Sequence, residues 1–203
     1  MKKSPAKSDQ LKTYHEKRDF GVTPEPAGKA LPKGEREPIF VVQMHAARSL
    51  HWDFRLEIGG TLKSWAVPKG PAANPATKRL AVLTEDHPLE YAGFEGVIPE
   101  GNYGAGEVLL WDLGTYRNDG ARHGQDYSLE AAFERGHILV WLEGHKLKGG
   151  WALIHSAMGG NPKNWLLIKE SKDTEMDPAV DLVKELPQSV LSGKTIDEIK
   201  AEG

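Results

Sequence analysis

Apolar and polar positions alternate with period two along residues 39–58. From Leu50 the alternation is strict: Leu50, Trp52, Phe54, Leu56 and Ile58 share one face of an extended strand, and His51, Asp53, Arg55 and Glu57 share the other. The run Ile39–His45 behaves alike, with Gln43 and His45 in phase. Further strand-like runs span Leu62–Val67, Leu80–Asp86, Gly106–Trp111, His137–Leu142, Gly149–His155 and Trp165–Lys169, and Gly, Pro, Asn or Asp occupies most of the gaps. Short strands with turn signals predict a mainly β fold, barrel or sandwich, rather than βαβ units. One helix is expected at Ser128–Arg135, capped by Ser128 and ended by Gly136. Thr195 and Glu198 form a capping box for a short terminal helix. The glycine-rich stretch Phe94–Glu107 reads as a tightly turned connection between strands; it lacks the Gly-Lys-Ser/Thr ending of a P-loop.

Organisation follows from composition. Residues 1–13, polar and lysine-rich, read as a disordered tail. Residues 14–37 read as an extended Pro/Gly-rich arm, the main domain runs over 14–170, and 171–203 read as a linker without chemistry, ending in the short helix. A hydrophobic content of 39% and six tryptophans suffice for one core, with Trp52, Trp65, Trp111, Trp141 and Trp151 expected inside it. The absence of cysteine excludes disulfides, thiolate zinc sites and a cysteine nucleophile. The best apolar stretch, Ile138–Leu142, is far too short for a membrane span, and MKKSPAKSDQLK lacks the apolar core of a signal peptide. A cytoplasmic protein without membrane association is the expectation.

Net charge is −3, which argues against a bulk nucleic-acid binder, but the charge is unevenly placed. Residues 41–80 carry six Lys/Arg against Asp53 and Glu57, a balance of +4; residues 81–144 carry twelve acids against three arginines, a balance of −9. The positive segment is the one that holds the unusual polar strand face. If Ala46–Ser49 turns the chain into a hairpin, Gln43, His45, His51, Asp53 and Arg55 converge on one surface. Two imidazoles and a carboxylate make an open ligand set for a divalent metal. A cation such as Arg55 beside a metal calls for a bridging anion, and a substrate phosphate is the simplest one. Lys69 and Arg79 are candidates for further clamps, each also readable as surface charge. Glu85, His87 and Tyr91 stand close together in TEDHPLEY, with Glu85 and His87 in phase at a strand end. His87, at its ordinary pKa, would exchange a proton or bind phosphate as a cation. His123, His137, His145 and His155 read as structural. The same ligand set would serve a cupin-like oxygenase, which the cationic set Arg55, Lys69 and Arg79 disfavours.

Several motifs in order, QMHAARSLHWDFRLE, SWAVPKGP, TEDHPLEY and FEGVIPEGNYGAG, resemble the phosphoesterase domain of bacterial ligase D, the end-healing ligase of non-homologous end joining. The arm KRDFGVTPEP resembles that family's N-terminal signature, so the likeness covers about residues 14–170. The resemblance implies a compact β-barrel core with a few flanking short helices and an extended N-terminal arm. It implies a manganese-dependent enzyme that removes a 3′-terminal ribonucleoside and then the remaining 3′-phosphate, leaving a 3′-hydroxyl on DNA or RNA-ended primers. His45, His51 and Asp53 fall on the family's metal ligands. Gln43, Arg55, Lys69, Arg79, Glu85, His87 and Tyr91 fall on its other active-site positions, and Arg18, Asp19 and Glu25 match its N-terminal ones. The implied partners are primer–template 3′ ends and the ligase, polymerase and Ku of end joining. The given sequence has no polymerase or ligase region, which fits a stand-alone relative or a piece of a larger protein. The competing reading is a non-catalytic end-binding module that recruits a ligase.

Overall fold

A computed structural model describes residues 10–28, 36–156 and 158–202. Among these, nine strands form one antiparallel sheet: β1 (Ile39–Ala46), β2 (Leu50–Ile58), β3 (Thr61–Val67), β4 (Arg79–Leu83), β5 (Gly96–Ile98), β6 (Gly106–Asn118), β7 (His137–Gly144), β8 (Lys148–His155) and β9 (Asn164–Lys169). The order is β1-β2-β3-β4-β9-β8-β7-β6, and β6 pairs back onto β1 to close an eight-stranded barrel. Closure removes the exposed edges that an open sheet would leave. The short β5 lies outside the ring, on the N-terminal half of β6.

The alternation read along the sequence sorts side chains between the two sides of this barrel. Phe40, Val42, Met44, Trp52, Phe54, Leu56 and Ile58 join Trp65, Trp111, Trp151 and Trp165 in the interior core. Leu50, at the open end of β2, stays exposed. Trp141 is not a core residue: it is half-buried, with the guanidinium carbons of Arg117 and Arg122 at 4.8 and 5.2 Å from its ring centroid. A second, smaller cluster lies on the outer face, where Val41, Leu62 and Leu110 are covered by Tyr14, Tyr91 and Ala92.

β6 runs seven residues beyond Trp111, where the sequence pattern ended, because Asp112 and Gly114 have local tasks rather than breaking the strand. The register shifts between Val42 (paired with Asp112) and Gln43 (paired with Leu110), so β6 bulges at Trp111. The bulge keeps Leu110 and Leu113 on the outer face while Trp111 joins the interior. Fully buried Asp112 accepts hydrogen bonds from the backbone N–H groups of Leu113, His145, Lys146 and Leu147 at 2.8–3.0 Å, tying off the β7–β8 turn. Gly144 is required beside it, since a Cβ there would meet Phe40 Cζ at 2.5 Å and Asp112 Oδ2 at 2.6 Å.

Among the described residues, short helices flank the barrel at α1 (Lys12–Glu16), α2 (Leu129–Arg135), α3 (Leu182–Glu185) and α4 (Ile196–Glu202). α2 is capped as its sequence predicts, with Ser128 Oγ accepting from Ala131 N and Gly136 in the left-handed region. At α4 the Glu198 carboxylate accepts from Thr195 N at 2.8 Å, the expected capping box. α1 starts at Lys12, two residues before the arm expected from the sequence; residues 1–9 and 29–35 lie outside the described residues. Residues 171–202 pack on the barrel: Leu182 and Ile199 are buried, Trp111 Nε1 donates to Leu186 O, and Val190 N donates to Leu110 O. No helix among the described residues is long and apolar enough to cross a membrane.

Replacing Asp112 by alanine strips three N–H groups of the β7–β8 turn of their buried acceptor. We expect a loss of roughly 2–4 kcal/mol, read as a lower urea midpoint with unchanged slope, and about half that loss for Asp112→Asn.

Candidate active site

The outer face of β1–β3 carries the polar residues. β1 and β2 form the expected hairpin, and their register sets His45 opposite His51, Gln43 opposite Asp53 and Val41 opposite Arg55. β3 continues the row, with Ser64 opposite Arg55. Directly opposed residues in an antiparallel pair have neighbouring side chains, so local register alone assembles this cluster. It lines a cavity of about 640 Å³ whose other walls are the arm, the segment 84–91 and the loop 98–105.

Both histidines are fixed by backbone carbonyls. His45 Nε2 donates to Gly104 O at 2.8 Å, and His51 Nδ1 donates to Ser49 O at 2.9 Å. Each ring therefore keeps its lone pair on the other nitrogen. Those nitrogens, His45 Nδ1 and His51 Nε2, lie 3.7 and 3.6 Å from the two oxygens of Asp53. Metal bonds of about 2.0–2.2 Å need ligand atoms only slightly closer together than this. The donor set thus fits a divalent cation with open positions. Burial pushes the Asp53 carboxyl up, but Arg55 and the two imidazoles outweigh it and hold the group well below the usual carboxylate range. The anion beside Arg55 is Asp53 itself, whose Oδ2 accepts from the guanidinium at 3.0 Å.

Arg55 is buried and each of its three nitrogens has a partner, with one N–H of Nη2 left over. It donates to Gln43 Oε1 (2.9 Å), Ser64 Oγ (2.8 Å) and Asp53, and its Nη1 lies 2.9 Å from His87 Nδ1. Gln43 cannot turn its amide around, because its Nε2 already donates to Tyr91 O and Phe94 O. The arm supplies a second guanidinium. Arg18 donates from Nε to Glu25 Oε1 at 2.9 Å, while its other nitrogens reach Glu85 Oε1 and His87 Nε2, both at 3.4 Å. Glu25 also accepts from Tyr91 Oη and Thr23 Oγ1, both at 3.0 Å. His87 therefore sits between two cations. Burial, then Arg55 and Arg18, push its pKa well below the ordinary value, which disfavours the cation and leaves proton exchange of the two roles expected from the sequence. Glu85 is held below its usual value because Lys17 and Arg18 outweigh its burial. Its strand ends at Leu83; Glu85 and His87 stand on an irregular segment joined to β3 by a single bridge between Leu62 and His87.

Eight of the residues singled out by sequence line the cavity: Arg18, His45, His51, Asp53, Arg55, Glu85, His87 and Tyr91. Gln43 and Glu25 lie buried behind them as supports. Three are not brought to the cavity. Asp19 is exposed and accepts from Gly21 N in a turn of the arm. Lys69 is exposed just past β3. Arg79 opens β4 in phase with core residue Ala81, on the opposite side of the pleat from the site. The loop 98–105 is more than the plain connection its glycines predict: it walls the cavity and supplies the carbonyl that fixes His45. Tyr14, Lys17, Arg48 and Tyr103 escaped the sequence reading, since single aromatic or basic residues on irregular segments carry no periodic signal.

A second group, Asp119, His123 and Glu170, also brings ligand-type atoms together. There Arg122 contacts both Asp119 oxygens at 3.4 Å and His123 bridges the two acids, so the group reads as an ion cluster.

Residues 43–155 match the family described as the DNA ligase D 3′-phosphoesterase domain. This chain belongs to that family. The multifunctional non-homologous end joining protein LigD of Pseudomonas aeruginosa is 49% identical over 193 residues, covering 93% of this chain. The LigD proteins of Mycolicibacterium smegmatis and Mycobacterium tuberculosis are 45% and 43% identical over 82% and 83% of it. The chain spans only about a fifth of the length of these curated relatives, 22% and 21%. Within this phosphoesterase family member, the matched stretch runs from Gln43, midway along β1, to the end of β8 and holds the whole hairpin cluster, while Arg18 and Glu25 lie N-terminal to it.

The depressed pKa of Asp53 has a stability consequence. Its contribution is present above the unfolded value of 3.8 and is lost as pH falls through the lower folded value. In metal-free protein, acid unfolding below pH 3.8 should therefore be steeper for the wild type than for Asp53→Asn, measured by circular dichroism.

Proposed function

We propose that the chain is a metal-dependent 3′-phosphoesterase that heals the 3′ ends of DNA or RNA-ended primers in end-joining repair. The observation that carries this reading is the convergence of two carbonyl-fixed imidazoles and Asp53 beside the buried guanidinium groups of Arg55 and Arg18. His45 Nδ1, His51 Nε2 and Asp53 would hold the metal, with Mn²⁺ the proposed ion; when bound, it withdraws charge from a phosphate oxygen. The remaining work falls to the chain's own residues. Arg55 and Arg18 neutralise the other phosphate oxygens as charge builds in the transition state. Gln43 and Glu25 hold those guanidinium groups in place, so little reorganisation accompanies the reaction. Neutral His87, between them, offers a nitrogen that can take or return a proton at the departing oxygen once the phosphate offsets the neighbouring cations. Tyr91 and Glu85 orient Glu25 and Arg18 respectively.

The substrate on this reading is a strand ending in a 3′ ribonucleoside, converted first to a 3′-phosphate and then to a 3′-hydroxyl. Lys69, exposed outside the cavity, would meet phosphates further along the strand, whereas Arg79, on the opposite side of the pleat, takes no part in this reading, and Asp19 shapes the turn that returns the arm to the site. The end-joining ligase, polymerase and Ku are the proposed partners, by analogy with the named relatives.

The test uses a 5′-labelled primer with one 3′-terminal ribonucleotide, annealed to a template. With Mn²⁺ the protein should yield the 3′-phosphate and then the 3′-hydroxyl product, and EDTA should stop both steps. His45→Ala and Asp53→Ala should each lower the rate by about 100-fold or more while circular dichroism stays native. Full activity in both variants, or in EDTA, would overturn the reading.

A further inference from the structure

Tyr103 is the one aromatic residue in the exposed class, with 48% of its surface accessible. Every other Trp, Tyr and Phe of the chain is buried or half-buried. Scattered exposed aliphatics are ordinary, but an open aromatic ring at the mouth of a polar cavity is apolar surface kept free where a ligand enters. Tyr103 lines that cavity.

The ring is held in place. Gly101 and Gly104 bracket it at φ values of 85° and 77°, a backbone that other residues rarely adopt. Asn102 N and Nδ2 both donate to Pro99 O, and Ala105 N donates to Asn102 O, closing a tight turn. Lys17 Nζ donates to the Tyr103 hydroxyl at 3.1 Å and lies 4.3 Å from the ring centroid. The hydroxyl in turn donates to Glu85 Oε2 at 3.5 Å. The arm and segment 84–91 thus fix the orientation of a ring that still leaves half its surface open. The next residue, Gly104, supplies the carbonyl that fixes His45. Tyr103 thus precedes the residue that fixes a candidate metal ligand, and its ring centroid lies 5.5 Å from the guanidinium carbon of Arg18 in the same cavity.

In a nucleic-acid end, the group next to the reacting phosphate is a nucleoside. A fixed, half-open aromatic ring suits the flat face of a base and accepts any base, because all of them stack. Resting on the phosphoesterase reading of the cavity, we infer that Tyr103 forms a stacking subsite for a nucleobase adjacent to the scissile phosphate, so that base-bearing ends are selected over base-free ones whatever the base.

Fluorescence anisotropy in EDTA tests binding apart from chemistry. The probes are labelled primer–templates with a complete 3′-ribonucleotide end, or with an abasic residue on either side of the terminal phosphodiester. Wild-type protein should bind the complete end about tenfold more tightly than at least one abasic end. Tyr103→Ala should bring that ratio close to one, and Tyr103→Phe and Tyr103→Trp should preserve it. The same ratios should appear in KM with Mn²⁺. A Tyr103→Ala protein that keeps the wild-type ratio overturns the inference, as does a wild type that binds all ends alike. Discrimination in binding without hydrolysis would keep the subsite and sink the reaction; hydrolysis without discrimination would do the reverse.

Discussion

The site is built around one buried cation. A guanidinium taken out of water is costly unless its donors and charge are answered on the spot. Arg55 meets this demand with Asp53, Gln43, Ser64 and the ring of His87. Each partner is then committed. Gln43 is locked by two carbonyls, Asp53 stays ionised, and His87 is kept from gaining a proton. The second cation, Arg18, is answered by Glu25 and Glu85 in the same manner. The result is a pocket whose guanidinium groups are held in fixed positions beside a possible metal-ligand set, and the proposed phosphate binding rests on that fixity.

The chemistry lies outside the barrel rather than within it. The interior is filled by tryptophans, phenylalanines and aliphatic residues, leaving the outer face of β1–β3 as the floor of the cavity. That floor is open to water until something covers it. Tyr14 packs on it with Tyr91, its hydroxyl donating to Pro26 O at 2.7 Å, so the arm is clasped in a closed turn over the sheet. The arm therefore covers the floor and also contributes to the cavity, since it brings Arg18 and its partner Glu25.

The parts legible in the sequence were those with a period. Strict alternation over 50–58 gave the strand, its faces and the in-phase placement of His51, Asp53 and Arg55, and the turn-rich spacing gave the β class. Ser128, Gly136, Thr195 and Glu198 marked helix ends because capping is a local interaction. The long-range parts were not legible from pattern. Nothing in residues 14–26 says that Arg18 will reach Glu85, sixty-seven positions away, and only the family resemblance flagged it. The three-residue β5 is too short to show, and the strand expected to end at Trp111 runs on through Asp112, whose oxygens serve a turn more than thirty residues further on. The pKa of His87 was misjudged for the same reason: its surroundings come from three separate segments.

In β1 and β2 the core and the chemistry are interleaved residue by residue, even-numbered positions inward and odd-numbered ones outward. A substitution can therefore damage one function and spare the other. Loss or gain of a single residue within either strand cannot, because it exchanges the two sets: histidines would be driven among the tryptophans and apolar chains into the cavity. These strands can drift in composition, but their length is frozen, and insertions are confined to the turns that join them.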